Sequence, residues 1–213
     1  MPKTDNRQFI SFEGIDFSGK STQIAFLAES LHLRGYNVMI LREPGGTYIS
    51  EKIRDILLDK SNQQMLPLTE ALLYSAARHQ LVKESIVLEL QKGNFVLADR
   101  YVDSTTAYQG FGRKLPSAFI KLLNKQVTVG VMPYITFYLD LDYEESVQRH
   151  KLINVDLDRM ESAGRDFYER IRKGYLKIAE INKTRVKIIN ACQPVEKIKN
   201  EIWEFVSQKL NLE

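Results

Sequence analysis

Apolar residues fall into two alternating patterns along the chain. Short runs rich in β-branched and aromatic residues predict strands: "QFISFEG" (8–14), "NVMILRE" (37–43), "NFVLADR" (94–100), "YITFYLDL" (134–141) and "VKIIN" (186–190). Between and after them, apolar positions recur at helical spacing over 20–34, 49–58, 67–92, 164–182 and 195–210. Gly35 and Gly93 stand where the first and third of these helices should stop, and Pro44-Gly45-Gly46 breaks the second strand. Residues 151–158 are polar and weakly periodic, and read as a mobile loop. Strands separated by helices predict an α/β fold, a parallel sheet covered by helices on both faces with right-handed crossovers.

With 213 residues and no repeat, low-complexity stretch or linker, residues 1–213 read as one domain. The net charge of +3 is too small to call for nucleic acid, although it suits a small anionic ligand. Cys192 is the only cysteine, so no intrachain disulfide can form and a reducing compartment is expected. No apolar run approaches the roughly 20 residues that span a bilayer. The start, "MPKTDNRQ", lacks the apolar core of a signal peptide. The expectation is a cytoplasmic protein with no membrane or nucleic-acid partner. Cys192 is expected to be a small buried apolar residue, and Trp203 a core residue. His32, His79 and His150 show no metal-ligand spacing.

One strand-to-helix junction changes the picture. From Gly14 to Ser21 the chain fits G-x-x-x-x-G-K-[ST], after an apolar strand and at the start of a helix, as a phosphate loop requires. Gly14, Ile15, Asp16, Phe17, Ser18, Gly19, Lys20, Ser21 and Thr22 are therefore the candidate ATP-binding segment. Their backbone N–H groups can face phosphates, Lys20 can neutralise the β and γ oxygens, and Ser21 can ligate Mg²⁺. The competing reading is a glycine-rich turn. A phosphate loop alone leaves GTPases, motor and transport ATPases and small-molecule kinases open.

Further residues bear on what accepts the phosphate. Asp99-Arg100 closes a strand, where ligands of parallel sheets bind, and a guanidinium there can hold phosphate oxygens bidentately. An ion pair with Asp99 or another carboxylate is the alternative for Arg100. Tyr74 and Arg78 are four residues apart on one helix face, a ring beside a guanidinium, which suits a planar base. A half-buried aromatic next to a solvated arginine fits the same two residues.

"LREPGGT" (41–47), "ADRYVDSTTAYQG" (98–110) and "DRMES" (158–162) follow the phosphate loop in a definite order. Taken together, these motifs resemble the thymidylate kinase family over nearly the whole chain, from Phe9 to the closing helix. The resemblance implies a P-loop NTPase three-layer fold with a short lid at about 149–163, ATP and dTMP as substrates, Mg²⁺, and a homodimer. It implies that Arg100 and Arg54 face the acceptor phosphate, that Asp99 lies near the metal's water shell, and that Asp16 accepts from the acceptor's 3′-hydroxyl. It also implies that Tyr74 stacks on thymine, Arg78 binds its O4, Thr105 faces the ring, and Tyr108 crowds the ribose 2′ position. Gln109 completes the pattern, and Glu43 is expected to orient Arg54. Such an enzyme works by positioning and charge neutralisation, so Lys20, Arg100 and Asp16 are the candidate catalytic residues.

The chain departs from the family at the transfer cation. The family carries an arginine either in the phosphate loop or in the lid with a glycine in the loop. Here Phe17 is neither, and Asn154 holds the usual lid position. Arg149, then Lys151, is expected to supply the cation, with Phe17 packing against the closing lid and Arg100 or Arg159 as fallbacks. Two other functions compete: a kinase of another pyrimidine monophosphate, against which Arg78, Thr105 and Tyr108 argue, and a nucleotide-responsive regulatory module.

Overall fold

In a computed structural model, which describes residues 6–153, 159–160 and 164–212, five strands form one parallel sheet. They are β1 (Phe9–Glu13), β2 (Val38–Arg42), β3 (Phe95–Asp99), β4 (Ile135–Asp140) and β5 (Val186–Asn190), in the order β2-β3-β1-β4-β5. The helices are α1 (Lys20–His32), α2 (Tyr48–Leu58), α3 (Pro67–Leu81), α4 (Val87–Gln91), α5 (Val102–Thr105), α6 (Ser117–Thr128), α7 (Tyr143–Ile153), α8 (Arg165–Ile181) and α9 (Val195–Leu210).

Strand composition follows sheet position. Central β1 is buried at all five residues, as a strand covered on both faces must be, whereas edge strands β2 and β5 mix buried and exposed positions. Alternate residues feed two cores. Ile10, Phe12 and Leu97 join Ile24, Leu27 and Leu31 of α1 and residues of α8 and α9. Phe9, Val96 and Ala98 join Leu81, Val82 and Leu90 on the other side. Phe12 is wholly buried, and truncating such a side chain to Ala costs about 3–5 kcal/mol. In register, Phe12 and Arg42 both lie beside Asp99. Three strands thus deliver their carboxyl ends to the crevice where the chain switches direction.

The structure departs from the sequence expectation at three places. The predicted 67–92 helix is helical throughout but is interrupted by a π-helical stretch, Val82–Ile86, that no residue type announces. Residues 151–153 belong to α7 rather than to a loop. That helix is preceded by Asp142, whose carboxylate accepts the Glu145 N–H at 2.8 Å, and its sparse apolar residues concealed it. Helix α6, flanked by Pro116 and Gly130, was not expected at all. The remainder of the expected 151–158 loop lies outside the described residues.

Candidate active site

The turn after β1 is built for close approach. A Cβ on Gly14 would sit 2.7 Å from the Leu139 carbonyl oxygen and 2.9 Å from Ser18 Oγ, so only glycine fits. Phe17 has φ +63°, a left-handed conformation that a large side chain rarely adopts. Its ring lies 5.0 Å from that of His150 on α7. Lys20 opens α1 and folds back, its Nζ donating to the carbonyls of Ile15 (2.9 Å) and Gly14 (3.2 Å). Burial and the nearby Arg100 charge lower the Lys20 pKa against the pull of Asp99, Asp16 and Glu13. Ser21 Oγ donates to Asp99 Oδ2 at 2.9 Å. The residues expected to bind ATP therefore form one loop, with Ile15 and Ser18 buried beneath it and Thr22 exposed at its rim.

Arg100 leaves β3 with φ +70° and turns toward that loop. It donates to the Gly14 carbonyl at 2.7 Å and to Asp16 Oδ1 at 2.5 Å. Its ion pair is with Asp16, not with its neighbour Asp99. Burial opposes both charges, yet each partner outweighs it. The Asp16 pKa ends below its ordinary value, held there by Arg100 and Lys20, and that of Arg100 well above.

The other half of the cleft is a closed hydrogen-bond network. Arg78 of α3 is 2% exposed and donates to Glu43 Oε2 (2.6 Å), Thr105 Oγ1 (2.7 Å) and the Tyr101 carbonyl (3.0 Å). Its five N–H donors leave at least one for a ligand oxygen. Glu43 Oε1 is buried without a partner among the described residues, and burial raises the Glu43 pKa despite Arg78. Glu43 thus serves Arg78 rather than Arg54, correcting the sequence expectation. Arg54 donates instead to the Pro44 carbonyl at 2.9 Å. Tyr74, Arg78, Thr105, Tyr108 and Gln109 all line one pocket with Asp16, Glu43, Arg54 and Arg100. The Tyr108 ring stands 5.1 Å from the Arg100 guanidinium and edges against Phe167 and Tyr175.

Two buried acids went unread in the sequence. Glu70 of α3 accepts from Gln109 (3.0 Å), Arg113 (3.0 and 3.1 Å) and Arg159 (2.8 Å). These donors lower its pKa although burial alone would raise it. Gln109 is thereby fixed against the pocket wall, and Arg159, which also donates to the Leu57 carbonyl at 2.7 Å, is tied to α2 and α3. Glu13 ends β1 and accepts from Tyr101 N–H (2.8 Å), Ser104 Oγ (2.5 Å) and Tyr175 Oη (2.9 Å). Burial and Asp103 push it up to about 7. A charged residue inside the run "FISFEG" was the available signal for Glu13.

Arg149 crosses from α7 to the loop, donating to the carbonyls of Ala191 (2.8 Å) and Phe17 (3.3 Å) and pairing with Glu145 at 3.0 Å. Lys151 is exposed. Arg42, unremarked in the sequence, lines the donor side beside Lys20 and Ser21. Asn154, Asp158, Glu161 and Ser162 lie outside the described residues, as does part of the expected lid. Cys192 is exposed, not buried, because it sits in the turn after β5 with its N–H on Asn190 Oδ1. Trp203 is half-buried and packs against the core, with Arg34 4.0 Å from its ring centre.

Residues 12–202 match the family described as thymidylate kinase. A thymidylate kinase from Thermoanaerobacter sp. is 44% identical over 203 residues, 95% of this chain and 98% of that protein. Another, from Chlorobium luteolum, is 47% identical over 208 residues, 94% and 97% of the two chains. The fold is similar to the crystal structure of thymidylate kinase from Ehrlichia chaffeensis, with a TM-score of 0.75 and 34% identity, covering 93% of this chain and 97% of that one.

Proposed function

The chain belongs to the thymidylate kinase family, and from that premise we propose how its residues move the γ-phosphoryl group of ATP to dTMP. The enzyme phosphorylates dTMP to dTDP, releasing ADP, in dTTP synthesis. A phosphate oxygen of dTMP attacks the γ-phosphorus, and the bond to the bridging oxygen breaks with its electron pair leaving on ADP. One observation carries the assignment of roles. Asp16, Glu43, Arg54 and Arg100 line both the acceptor pocket and the phosphate-loop cleft, so the two substrates' phosphates meet among them.

Lys20 exchanges its two carbonyl partners for β and γ oxygens of ATP. Arg100 and Arg54 hold the acceptor phosphate, and Asp16, kept ionised by its cations, accepts from the 3′-hydroxyl. Tyr74 and Arg78 take the thymine ring over Thr105, while Tyr108 crowds a ribose 2′-hydroxyl. Ser21 and Asp99 offer a hydroxyl and a carboxylate oxygen 2.9 Å apart, a sparse all-oxygen set that fits Mg²⁺ completed by phosphate and water. When bound, that ion would neutralise charge developing on the phosphates. Arg149 of α7, seated on the Phe17 carbonyl, supplies the transfer cation. Exposed Ile49 and Ile56 of α2 and Leu68 and Leu72 of α3 support a homodimer through that helix pair.

ADP formation measured with ATP and Mg²⁺ tests the function. It should appear on adding dTMP and stay at background without an acceptor. ADP formation indifferent to dTMP would refute the reading.

A further inference from the structure

The segment 102–112 is a wall with two sides. Ser104, Thr105, Tyr108 and Gln109 line the acceptor pocket, whereas Val102, Asp103, Thr106, Gly110 and Phe111 line a cavity of about 750 Å³ between α6 and α8. Among the described residues, none lines both. The volume lies within the roughly 300–1,000 Å³ of small-molecule sites. Its floor is apolar, with Ile120 and Ile178 almost wholly buried and Phe111 and Ile181 left 38% and 70% exposed at its mouth.

Charge at the rim is unbalanced. Lys121 and Lys125 stand one turn apart on α6, exposed and without an ion-pair partner among the described residues. Across the cavity Lys177 is paired with Glu180 at 2.7 Å. Arg185, at the inner end, is taken up by Asp103 (2.6 and 2.9 Å) and Thr136 (2.6 Å). Two cations are therefore left above an apolar floor, an arrangement complementary to a molecule with a hydrophobic body and one anionic end.

We propose that this cavity is an effector site for a small amphipathic organic anion, its apolar body on Ile120, Ile178 and Phe111 and its charge between Lys121 and Lys125. The wall links it to the reaction. Thr106 Oγ1 donates to the Val102 carbonyl (3.2 Å) and accepts from Asn124 of α6 (3.1 Å), while Thr105, the preceding residue, accepts from Arg78. A ligand that shifts α6 against the wall therefore shifts the dTMP contacts. This coupling rests on the acceptor reading given above; the binding itself does not.

The probe is 8-anilinonaphthalene-1-sulfonate, titrated by fluorescence against full-length enzyme, with the uncharged N-phenyl-1-naphthylamine as its counterpart. The sulfonate should bind at least fivefold more tightly than the neutral compound and persist under saturating dTMP and ATP. It should weaken at least tenfold in Lys121→Glu/Lys125→Glu and in Ile181→Glu, all exposed positions that the fold tolerates. In wild type it should change the KM for dTMP threefold or more, and in the variants it should not. Displacement by either nucleotide, or indifference to these substitutions, overturns the site. Binding that leaves kcat and KM unchanged overturns the effector role. Should the variants alter the sedimentation coefficient of the ligand-free enzyme, the cavity is a contact between copies of the chain and the proposal fails. Activity toward dTMP without the probe is read in the same assay, so failure of the acceptor reading is separately visible.

Discussion

The acceptor floor and the phosphate loop face each other across one crevice and are built on opposite terms. On the acceptor floor, Arg78 already spends donors on Glu43, Thr105 and Tyr101 within the folded chain. On the donor side, Lys20 rests on two backbone carbonyls and Ser21 on Asp99, contacts that phosphates and a metal can replace. Arg100 and Asp16 join the halves. On the proposed roles, acceptor choice is set by the fold, whereas transfer waits for the donor to rearrange its cations. A preorganised floor loses little entropy on binding and discriminates through donors that the wrong base leaves unpaired.

Removing the donor-side charge should separate the halves most sharply. Lys20→Ala should lower kcat by about a thousandfold or more, while calorimetry finds dTMP binding nearly unchanged. Near-normal turnover would remove Lys20 from the mechanism.

On the acceptor side the same kind of truncation acts on the fold. Arg78→Ala leaves the Glu43 carboxylate buried without its counter-charge, so chemical denaturation should show a loss of about 3–5 kcal/mol. Residual kinase activity in that variant should distinguish dTMP from dCMP less than wild type does. Unchanged stability would mean that the network is not what fixes the floor.

Glu13, beneath both halves, makes the comparison pH-dependent. Its folded pKa of about 7 lies above the ordinary 4.5, so between these values the folded state binds more protons than the unfolded chain. The stability contributed by this group is complete below pH 4.5 and is lost as pH rises through 7. Glu13→Gln keeps the neutral form at every pH. The wild-type unfolding free energy minus that of the variant should thus fall between pH 5 and 8, by up to roughly 3 kcal/mol. A difference independent of pH would show that Glu13 is ionised throughout. Arg149→Ala tests the donor side more gently, with kcat expected about a hundredfold lower and dTMP affinity little changed. A change in kcat below about threefold would move the transfer cation elsewhere.

The strands, the phosphate loop and the order of the motifs were legible because each is carried by local residue type: apolar runs, Gly14, Lys20-Ser21, Asp99-Arg100. Pairings across the fold were not. Glu43 precedes α2, the helix that carries Arg54, yet it serves Arg78 on α3, since burial at the Pro44 turn points its carboxylate inward. Glu70 carries no signal of its own in the sequence but is a buried hub, because donors from Gln109, Arg113 and Arg159 converge on it in the fold. Helix α7 was hidden by its polar composition, and with it the geometry that brings Arg149 to the Phe17 carbonyl.

The claim that the fold itself selects the acceptor is tested most directly by kcat/KM for dTMP and dCMP in the wild-type enzyme, read as ADP formation. Cytosine presents an amino group where thymine presents O4, leaving an Arg78 donor unpaired at roughly 1–3 kcal/mol. The expected result is a preference for dTMP of at least about tenfold. Equal efficiency, or a preference for dCMP, would contradict a floor built to read thymine.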